Sequence, residues 1–526
     1  MTLLLVSLAL AYIIVIYFRT NPLHHTRKFM WRRFLNWFPL GMTYAFLYMG
    51  RYNLTVAKNA LGDLMNKEDF GFITGVGFTV YACSLALNGP LVDRMGGKRG
   101  ILIGAIGSAL MNALMAGTLY LYLNNQLKTN LVLAFSVLYG MNMLFQSFGA
   151  VSTIKIKSFW FHVRERGTFG AIFGTLISLG VYFAFDWGGA IANAVAIKQP
   201  ENPGWVREVL NYFFALDGRS IPALWLIFVI PSLIMIIWAL IDVIMLKDTP
   251  DQAGFDPLDT HDVSSDDGHD RKYGYFEVIK KVFTNRIVLM IGVVELTSGV
   301  LRNGVMQWYQ TFAKETGLGV QHITDHWGFW GCVTGIAGGF AAGLISDRIF
   351  QSRRAPSAGL MEGIMIVCSA LMIGFLCLQF LPAASAGKPV PPAEVTEGGF
   401  MTSLLGMRAI VVGVCAVTIM MSVIGVHSIM SGTATADFGG KKAAATATGI
   451  ADAFAYAGSA LQSFVIGKAA SVSWSYWPMV LLPFGILGLV FCLKMWTVLP
   501  AATRKYLAEI EGKTVPEKRG KRTRQA

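Results

Sequence analysis

The sequence predicts an all-α polytopic membrane protein, built from two six-helix bundles and one extra N-terminal transmembrane helix. Hydrophobic residues make up 54% of the 526 residues and charged residues only 14%, whereas an average soluble protein is about 25% charged. The apolar residues form runs of about 20 residues, the length that crosses a hydrocarbon core of about 30 Å. Basic residues lie in short loops at alternate ends of these runs, the pattern that orients an inserted protein.

The first apolar run, from Thr2 to Phe18, is predicted to be an uncleaved transmembrane helix. A signal peptide carries its basic residues before the apolar core, but here Arg19, Arg27 and Lys28 follow it. The positive-inside rule therefore places the N-terminus outside and the basic loop that ends the segment 1–33 in the cytoplasm.

Twelve further runs are predicted to be transmembrane helices, six in an N-terminal bundle (34–246) and six in a C-terminal bundle (286–500). The polar segment between them, 247–285, is rich in acids and is predicted to be a cytoplasmic linker. The basic tail, 501–526, is predicted to be cytoplasmic as well. The runs cover residues 34–56, 70–92, 100–122, 131–153, 168–194, 221–246, 286–312, 327–346, 359–381, 406–430, 444–468 and 476–498.

The remaining composition argues against several other classes of protein. The net charge of +13 is spread over alternate loops, so no nucleic-acid partner is predicted. The six cysteines all lie within apolar runs without a CxxC pair, which predicts neither disulfides nor a metal site. No P-loop, zinc-protease or nucleophile-elbow motif is present, so we expect neither an ATP-driven pump nor an enzyme, and no cofactor.

One loop motif occurs twice, after the second and after the eighth of the twelve helices. The first copy holds Asp93-Arg94 and the second Asp347-Arg348, each with glycines and basic residues near it. A positive-inside bias explains the basic residues, but not the recurring Asp and glycine. Two repeated six-helix halves are typical of transporters with a solute site at the midplane.

This motif resembles the loop signature of the major facilitator superfamily. The resemblance implies the major facilitator fold. It also implies that Asp93, Arg94, Asp347 and Arg348 act in conformational gating: they form cytoplasmic contacts that hold the outward-open state and break as the halves rock.

Each half also places an arginine inside its first helix, Arg51 and Arg302. An arginine near the centre of a membrane costs about 2.5–3.5 kcal/mol or more, so it needs a partner or a wet cavity. If the halves pack as repeats, both arginines face one cavity, where a doubly charged anion would relieve their repulsion. Guanidinium groups match phosphate oxygens in geometry and charge. The pair therefore predicts a site for a phosphate or a phosphate ester.

The alternative is that each arginine pairs with a structural carboxylate. Glu295 is the candidate for Arg302, because seven residues are close to two helical turns. Glu295 and Asp452 are also possible proton-coupling residues, since burial raises the pKa of a carboxylate. Asp186 and His427 are either further proton sites or hydrogen-bonded packing groups.

Tyr44 and Tyr48 share a helix face with Arg51 and line the same predicted site unless they are packing residues. The stretch from Tyr44 to Asn53 resembles the first helix of the organophosphate:phosphate antiporters, the glycerol-3-phosphate and hexose-phosphate transporters, and the stretch around Arg302 resembles their seventh helix. Lys247-Asp248-Thr249-Pro250, Phe145-Gln146, Glu165-Arg166-Gly167 and Lys441-Lys442 leading to Tyr456 also have counterparts in that family. The resemblance implies that both arginines bind phosphate and that Tyr44, Tyr48 and Tyr456 line the site.

The chain departs from this family around the arginines. Tyr52 stands where the family has a lysine, and Leu85 and Ile177 stand where the glycerol-3-phosphate transporters carry a lysine and a histidine. Cys332 and Val333 fall at the place of their eighth-helix glutamate. These departures argue against glycerol-3-phosphate and are compatible with a different phosphate ester or a less polar one.

The sequence therefore predicts a secondary active transporter that exchanges a phosphorylated small organic solute for inorganic phosphate by alternating access. A proton-coupled organic anion transporter and a non-transporting membrane sensor of phosphate esters are the alternatives. The predicted location is a bacterial inner membrane, with the N-terminus outside, the C-terminus in the cytoplasm, and a lipid-embedded monomer.

Overall fold

The computed structural model describes residues 2–162, 165–196, 204–217, 222–260, 284, 286–350, 353–377, 400–438 and 440–498. The secondary structure of this part of the chain is helical, with turns between the helices. Helices satisfy their own backbone hydrogen bonds, which is what a chain crossing hydrocarbon requires. The acidic cluster of the linker and the basic tail lie outside the described residues.

The first half holds the additional helix α1 and the first six membrane-crossing segments. The fifth segment is interrupted: α6 passes through a π-helical turn at Phe183–Trp187 into α7. The bounds are α1 Thr2–Arg19, α2 Arg27–Leu61, α3 Lys67–Met95, α4 Gly97–Leu123, α5 Leu131–Trp160, α6 Arg166–Tyr182, α7 Gly188–Val195, α8 Gly204–Phe214 and α9 Leu226–Met245.

The second half repeats this arrangement with two interruptions. The seventh segment is split into α10 and α11, and α13 ends in a π-helical turn at Ile345–Ile349 beside the second loop motif. The bounds are α10 Arg286–Met306, α11 Tyr309–Thr316, α12 Gln321–Asp325, α13 Trp327–Leu344, α14 Arg354–Cys377, α15 Phe400–Phe438, α16 Gly440–Val472 and α17 Tyr476–Lys494.

The predicted fold class agrees with the observed helices. Eleven segments of the described chain are long and apolar enough to cross a membrane. Two predicted segments fall short of this measure, α2 and α16, because charged and polar side chains interrupt their apolar faces. The short helices α8 and α12 were not predicted, and the six cysteines are free, as expected.

The two halves meet along a small set of helices. Helix α3 lies against α16, α5 also contacts α16, and α6 lies against α13. Within the first half α2 packs on α6 and α9, and within the second half α10 packs on α15, α16 and α17. Helices α2, α10 and α16 carry the arginines and Tyr456, so this packing brings the predicted site residues together.

The loop after α3 depends on a glycine and on the start of the linker. Gly96 has φ +91°, and a side chain at this position would collide with the carboxylate of Asp248. Asp248 accepts a hydrogen bond from the Lys98 backbone N–H at 2.7 Å. The Lys-Asp-Thr-Pro segment that resembles the antiporter family thus fixes the first copy of the loop motif.

Candidate anion site

Arg51 is the centre of the candidate site and is fully buried. Its Nη1 donates to the Tyr456 hydroxyl at 2.7 Å, and its Nη2 donates to the Tyr81 hydroxyl at 2.9 Å and to Gln146 Oε1 at 3.4 Å. Because α2 and α3 belong to one half and α16 to the other, the Arg51–Tyr456 bond joins the two halves.

Arg302 lies beside the same tyrosine but is less satisfied. Its guanidinium carbon is 5.2 Å from the centroid of the Tyr456 ring, and that of Arg51 is 5.6 Å from the same centroid. Arg302 is only 7% exposed, yet its Nε and Nη2 have no hydrogen-bond partner among the described residues. Unpaired buried N–H groups are costly, so Arg302 offers donors to an anion.

Aromatic rings enclose Arg51 on further sides. The Tyr48 ring centroid is 4.6 Å from its guanidinium carbon and that of Tyr81 is 4.7 Å away. Tyr44 packs edge-on against Tyr48, with their centroids 5.6 Å apart. Sequence analysis missed Tyr81, since one tyrosine in the apolar run of α3 is typical of a packing residue.

A polar network behind Arg51 holds its backbone in place. Tyr139 donates from its hydroxyl to the Arg51 carbonyl at 2.8 Å, and Gln146 Nε2 donates to the Leu47 carbonyl at 2.8 Å. Asn142 Nδ2 donates to the Gly50 carbonyl at 3.0 Å. These bonds tie one turn of α2 to α5 and fix the direction from which Arg51 reaches the site.

Tyr52, which replaces the family's lysine, makes a second connection between the halves. Its hydroxyl donates to Asn303 Oδ1 at 3.0 Å, and Asn303 Nδ2 donates to Ser459 Oγ at 2.6 Å. All three side chains are buried. A neutral hydroxyl–amide pair therefore occupies the position next to both arginines.

The other departures lie away from this centre or add no charge. Leu85 is buried where α3 meets α16, with its carbonyl against Gly449. Ile177 is half-buried, Cys332 is buried and Val333 is 41% exposed.

The alternative from the sequence, in which Glu295 pairs with Arg302, is wrong. It is fully buried, and its Oε2 lies 2.6 Å from Nδ1 of His427 on α15. Asp452 on α16 accepts a hydrogen bond from Ser431 Oγ at 3.3 Å. The register of α10 against α15 thus directs Glu295 to an imidazole, and no ion pair of Arg302 with a carboxylate is found within the part of the chain that the structure describes.

The first copy of the loop motif connects the two halves. Asp93 accepts hydrogen bonds from the Thr446 backbone N–H at 3.1 Å and from its hydroxyl at 2.7 Å, and its other oxygen is 2.9 Å from Lys155 Nζ. Arg94 is exposed. The Asp93 carboxylate thus links α3, α5 and α16 at one end of the molecule.

The second copy makes a local contact. Asp347 is 3.1 Å from Nη1 of Arg354 at the start of α14, and Arg348 is exposed. The two copies are therefore alike in sequence, although Asp93 contacts the other half and Asp347 contacts the next helix of its own half.

The opposite end of the molecule is joined by other polar contacts. Lys67 Nζ lies 2.8 Å from Glu315 Oε2, and Ser471 donates to Glu68 at 2.9 Å. Asp186 accepts from the Gly328 backbone N–H at 2.7 Å, at the start of α13. Asp186 therefore caps a helix of the other half, which favours the packing role over the proton role. The halves touch at both ends around the buried arginines.

These features define a class of protein: a two-half helical membrane protein with a buried cationic site between the halves. The chain belongs to the Major Facilitator Superfamily, whose sequence model matches residues 40–428. It is an integral membrane protein, and the prediction that it is not an enzyme is confirmed by this family of transporters.

Several curated relatives match almost the whole chain. The glycerol-3-phosphate transporter of Bacillus subtilis (strain 168) is 25% identical over 472 residues, 86% of this chain and 90% of the relative. The probable hexose phosphate transport protein of Chlamydia trachomatis serovar D is 22% identical over 490 residues, 91% and 94% of the two chains. The membrane sensor protein UhpC of Escherichia coli (strain K12) is 24% identical over 454 residues, 83% and 86%.

Solved structures support the fold. A bacterial homolog of the human lysosomal transporter Spinster has a TM-score of 0.57 and 15% identity, and covers 94% of this chain and 100% of its own. The proton:xylose symporter XylE has a TM-score of 0.56 and 14% identity, with 89% and 96% coverage. The predicted major facilitator fold is confirmed.

Proposed function

We propose that this protein is a secondary active transporter that exchanges a phosphorylated small organic solute for inorganic phosphate by alternating access. The observation that carries the proposal is Arg302, a buried guanidinium group whose Nε and Nη2 have no partner among the described residues, beside the tyrosine that binds Arg51. Relatives named as glycerol-3-phosphate and hexose phosphate transporters support this substrate class.

The anion binds by completing the hydrogen bonds of the two arginines. The Tyr456 hydroxyl takes one N–H of Arg51, and a phosphate oxygen is a stronger acceptor for the same donor because it is charged. The anion therefore replaces Tyr456 at Arg51 while it binds the unpaired donors of Arg302. Two cations then share one dianion instead of repelling each other.

Exchange follows from the contacts between the halves. Asp93–Thr446 closes one end and Lys67–Glu315 the other. Rocking breaks the contacts at one end at a time, and it exposes Arg51 and Arg302 to a half-open cavity. A bound anion neutralises them during this movement, so the loaded protein rocks more readily than the empty one, and a solute leaving on one side is replaced by another anion.

The substrate carries one phosphate group and an uncharged organic part. Near neutrality a phosphate monoester is mostly a dianion, because its second pKa is about 6. Two arginines balance it, and the neighbouring Tyr52–Asn303 pair offers a hydroxyl and an amide rather than a third cation. A substrate carboxylate would be left unpaired at low dielectric, which is costly.

The test is counterflow of radiolabelled phosphate in liposomes that contain the purified protein. We expect unlabelled phosphate inside to drive uptake of label, and neutral-headed monophosphates to compete better than phosphoglycerate. Arg207→Lys, within the short helix α8, serves as the control for arginine changes in general. Uptake driven by a pH gradient without internal phosphate would instead indicate a proton-coupled organic anion transporter, and binding without any flux would indicate a sensor.

The protein is placed in a bacterial inner membrane, with the Asp93 end and the C-terminus in the cytoplasm and the N-terminus outside. The bacterial relatives support this membrane, and the basic loops at the Asp93 end support this orientation. The protein acts as a monomer, since each chain brings both arginines to one site. Cysteine labelling from each side of intact membranes tests the orientation.

A further inference from the structure

A cluster of titratable side chains lies beside Arg302 in the second half, and the binding of phosphate does not itself use it. Glu295 is fully buried and contacts the imidazole of His427 at 2.6 Å, while its Oε1 has no hydrogen-bond partner among the described residues. Asp452 interacts electrostatically with His427, with Glu295 and with Arg302. Three helices, α10, α15 and α16, thus bring two carboxylates and an imidazole to one place.

We infer that Glu295, His427 and Asp452 form a proton-binding site whose occupancy is linked to anion binding at Arg302. The inference rests on the proposed function, because it requires an anion to bind at the arginines. The inference also goes beyond the proposed function, because it adds a second ligand, the proton, whose binding site lies entirely in the second half.

The geometry supports a proton shared between Glu295 and His427. A separation of 2.6 Å between a carboxylate oxygen and an imidazole nitrogen requires a proton between them. Imidazole changes its charge near physiological pH, unlike other unperturbed side chains. Ionisable groups inside a membrane are also expensive unless they have a role or a partner, and Glu295 has both oxygens buried but only one paired.

The charges around the cluster give the direction of the coupling. With Glu295 ionised and His427 protonated, that pair is neutral, and the charge of an ionised Asp452 competes with the substrate for Arg302. One further proton removes a negative charge and makes the surroundings of Arg302 more positive. Proton binding therefore strengthens anion binding, and by linkage the anion strengthens proton binding to the same degree.

The other groups around the cluster do not account for the change of charge near Arg302. Arg302 on α10 is cationic throughout, and Ser431 on α15 is a neutral donor to Asp452. Glu362 on α14 interacts electrostatically with Glu295, but it is fully buried against α17, where Cys492 is its titratable neighbour. The net charge near a phosphate dianion at Arg302 thus changes by one elementary charge when Glu295, His427 and Asp452 together bind or release one proton.

The test measures proton uptake when inorganic phosphate binds to the purified full-length protein. Titration calorimetry in buffers of different ionisation enthalpy gives the number of protons taken up, and phosphate affinity is compared at about pH 8 and about pH 6. Wild type is compared with Glu295→Gln, Asp452→Asn and His427→Gln. Asp242→Asn is the matched control, since Asp242 is a fully buried carboxylate of α9 in the other half.

The titration of phosphate itself is the same for every variant, so differences between proteins report the cluster. We expect wild type and Asp242→Asn to gain affinity on acidification by about fivefold more than Glu295→Gln or Asp452→Asn, and to take up more protons on binding. If Glu295→Gln does not fold, Asp452→Asn and His427→Gln decide the outcome. Equal proton uptake by wild type and these variants overturns the inference but not the proposed function, whereas absence of phosphate binding in wild type overturns both.

Discussion

At the scale of single residues, the two arginines are alike in sequence but differ in their surroundings. Arg51 donates to three acceptors, two phenols and an amide, and its Nε lacks a partner among the described residues. Within the same part of the chain, two guanidinium nitrogens of Arg302, Nε and Nη2, lack a partner. The site is therefore asymmetric, although each half contributes one guanidinium group.

Lysine at either position keeps the charge but loses the planar arrangement of donors. We expect Arg51→Lys and Arg302→Lys to lower phosphate counterflow by about 10-fold or more, because each loses at least one charge-assisted hydrogen bond. Counterflow in liposomes measures this, with insertion checked by protease resistance. Normal transport by Arg51→Lys would show that the fork of donors is unnecessary, and full activity of Arg51→Ala would contradict the site itself.

Tyr456 and Tyr81 provide a matched pair of hydroxyls on the same arginine. Tyr456→Phe removes a bond between the halves, whereas Tyr81→Phe removes one within the first half. We expect only Tyr456→Phe to shift the balance between conformations, by about 10-fold since a hydrogen bond to a charged group contributes about 1.5–3 kcal/mol. Labelling rates of single cysteines at the two ends measure the shift, and equal effects of both changes would refute it.

At the scale of helices, the additional helix α1 is anchored by a buried cluster at the start of α2. Arg33 is 1% exposed and donates to both oxygens of Glu165 at 2.9 and 3.0 Å. Its Nε donates to the Tyr17 hydroxyl at 3.0 Å, and that hydroxyl donates to the Met30 carbonyl at 2.8 Å. Tyr17 thus connects α1 to an ion pair between α2 and the loop before α6.

This ion pair gives a pH dependence with a definite sign. Burial favours a higher pKa for Glu165, but the His25 imidazole, 3.5 Å away, and the hydrogen bonds and charge of Arg33 outweigh it and lower the pKa from 4.5 to about 2. Because the folded pKa is depressed, the pair stabilises the protein fully above about pH 4.5, and this contribution is lost as the pH falls toward 2.

Glu165→Gln leaves Arg33 buried without its partner, which costs about 3–5 kcal/mol. We expect the variant to have a lower Tm than wild type at neutral pH. The difference in Tm should become smaller as the pH is lowered below about 4.5. Thermal unfolding in detergent measures both. Asp217→Asn is the control, because Asp217 is 67% exposed and its pair with Arg207 contributes little. A Tm difference that is unchanged down to the lowest accessible pH would contradict this role.

At the scale of the whole molecule, the halves are in contact at both ends of the central site. Asp93 accepts a hydrogen bond from Thr446 at one end, and Glu315 forms an ion pair with Lys67 at the other. Helices α3 and α16 carry a contact at each end, so the rocking movement must open this long interface from one end or the other. Conformational balance is therefore set by the difference between two sets of contacts, not by either set alone.

Asp93→Asn removes the charge that faces Lys155 but keeps an acceptor for Thr446. We expect slower exchange with little change in phosphate affinity, because Asp93 lies away from the arginines. Exchange rate and affinity are measured separately in the same liposomes. A large loss of affinity with normal turnover would place Asp93 in the binding site and refute the gating role.

Two glycines in the α3–α16 interface test the two ends separately. A methyl group at Gly449 would lie 2.4 Å from the Leu85 carbonyl oxygen, and one at Gly71 would lie 2.5 Å from the Ser463 carbonyl oxygen. Neither backbone oxygen can move aside without separating the helices. We expect Gly449→Ala to open the Asp93 end and Gly71→Ala the opposite end, seen as opposite changes in cysteine labelling; changes in the same direction would rule out independent ends.

The sequence by itself determined the fold, the repeat and the two arginines. The apolar runs and the arginines are properties of single segments, and the repeat follows from comparing two of them: an apolar run must be about 20 residues long to cross the membrane, and an arginine inside such a run stands out because of its cost. For the same reason the tyrosines of α2 were found by their spacing beside Arg51, whereas Tyr81 in α3 was not.

Only the tertiary structure decided which side chains meet. Glu295 and Arg302 share a face of α10, yet α15 lies so that Glu295 contacts His427, and Arg302 Nε and Nη2 have no partner among the described residues. Asp93 and Asp347 occupy equivalent loops, yet Asp93 binds Thr446 of the other half and Asp347 pairs with Arg354 of its own half. The physical reason is that periodicity fixes the direction of a side chain on its own helix, whereas its partners depend on the register and rotation of neighbouring helices, which are set by packing between distant parts of the chain.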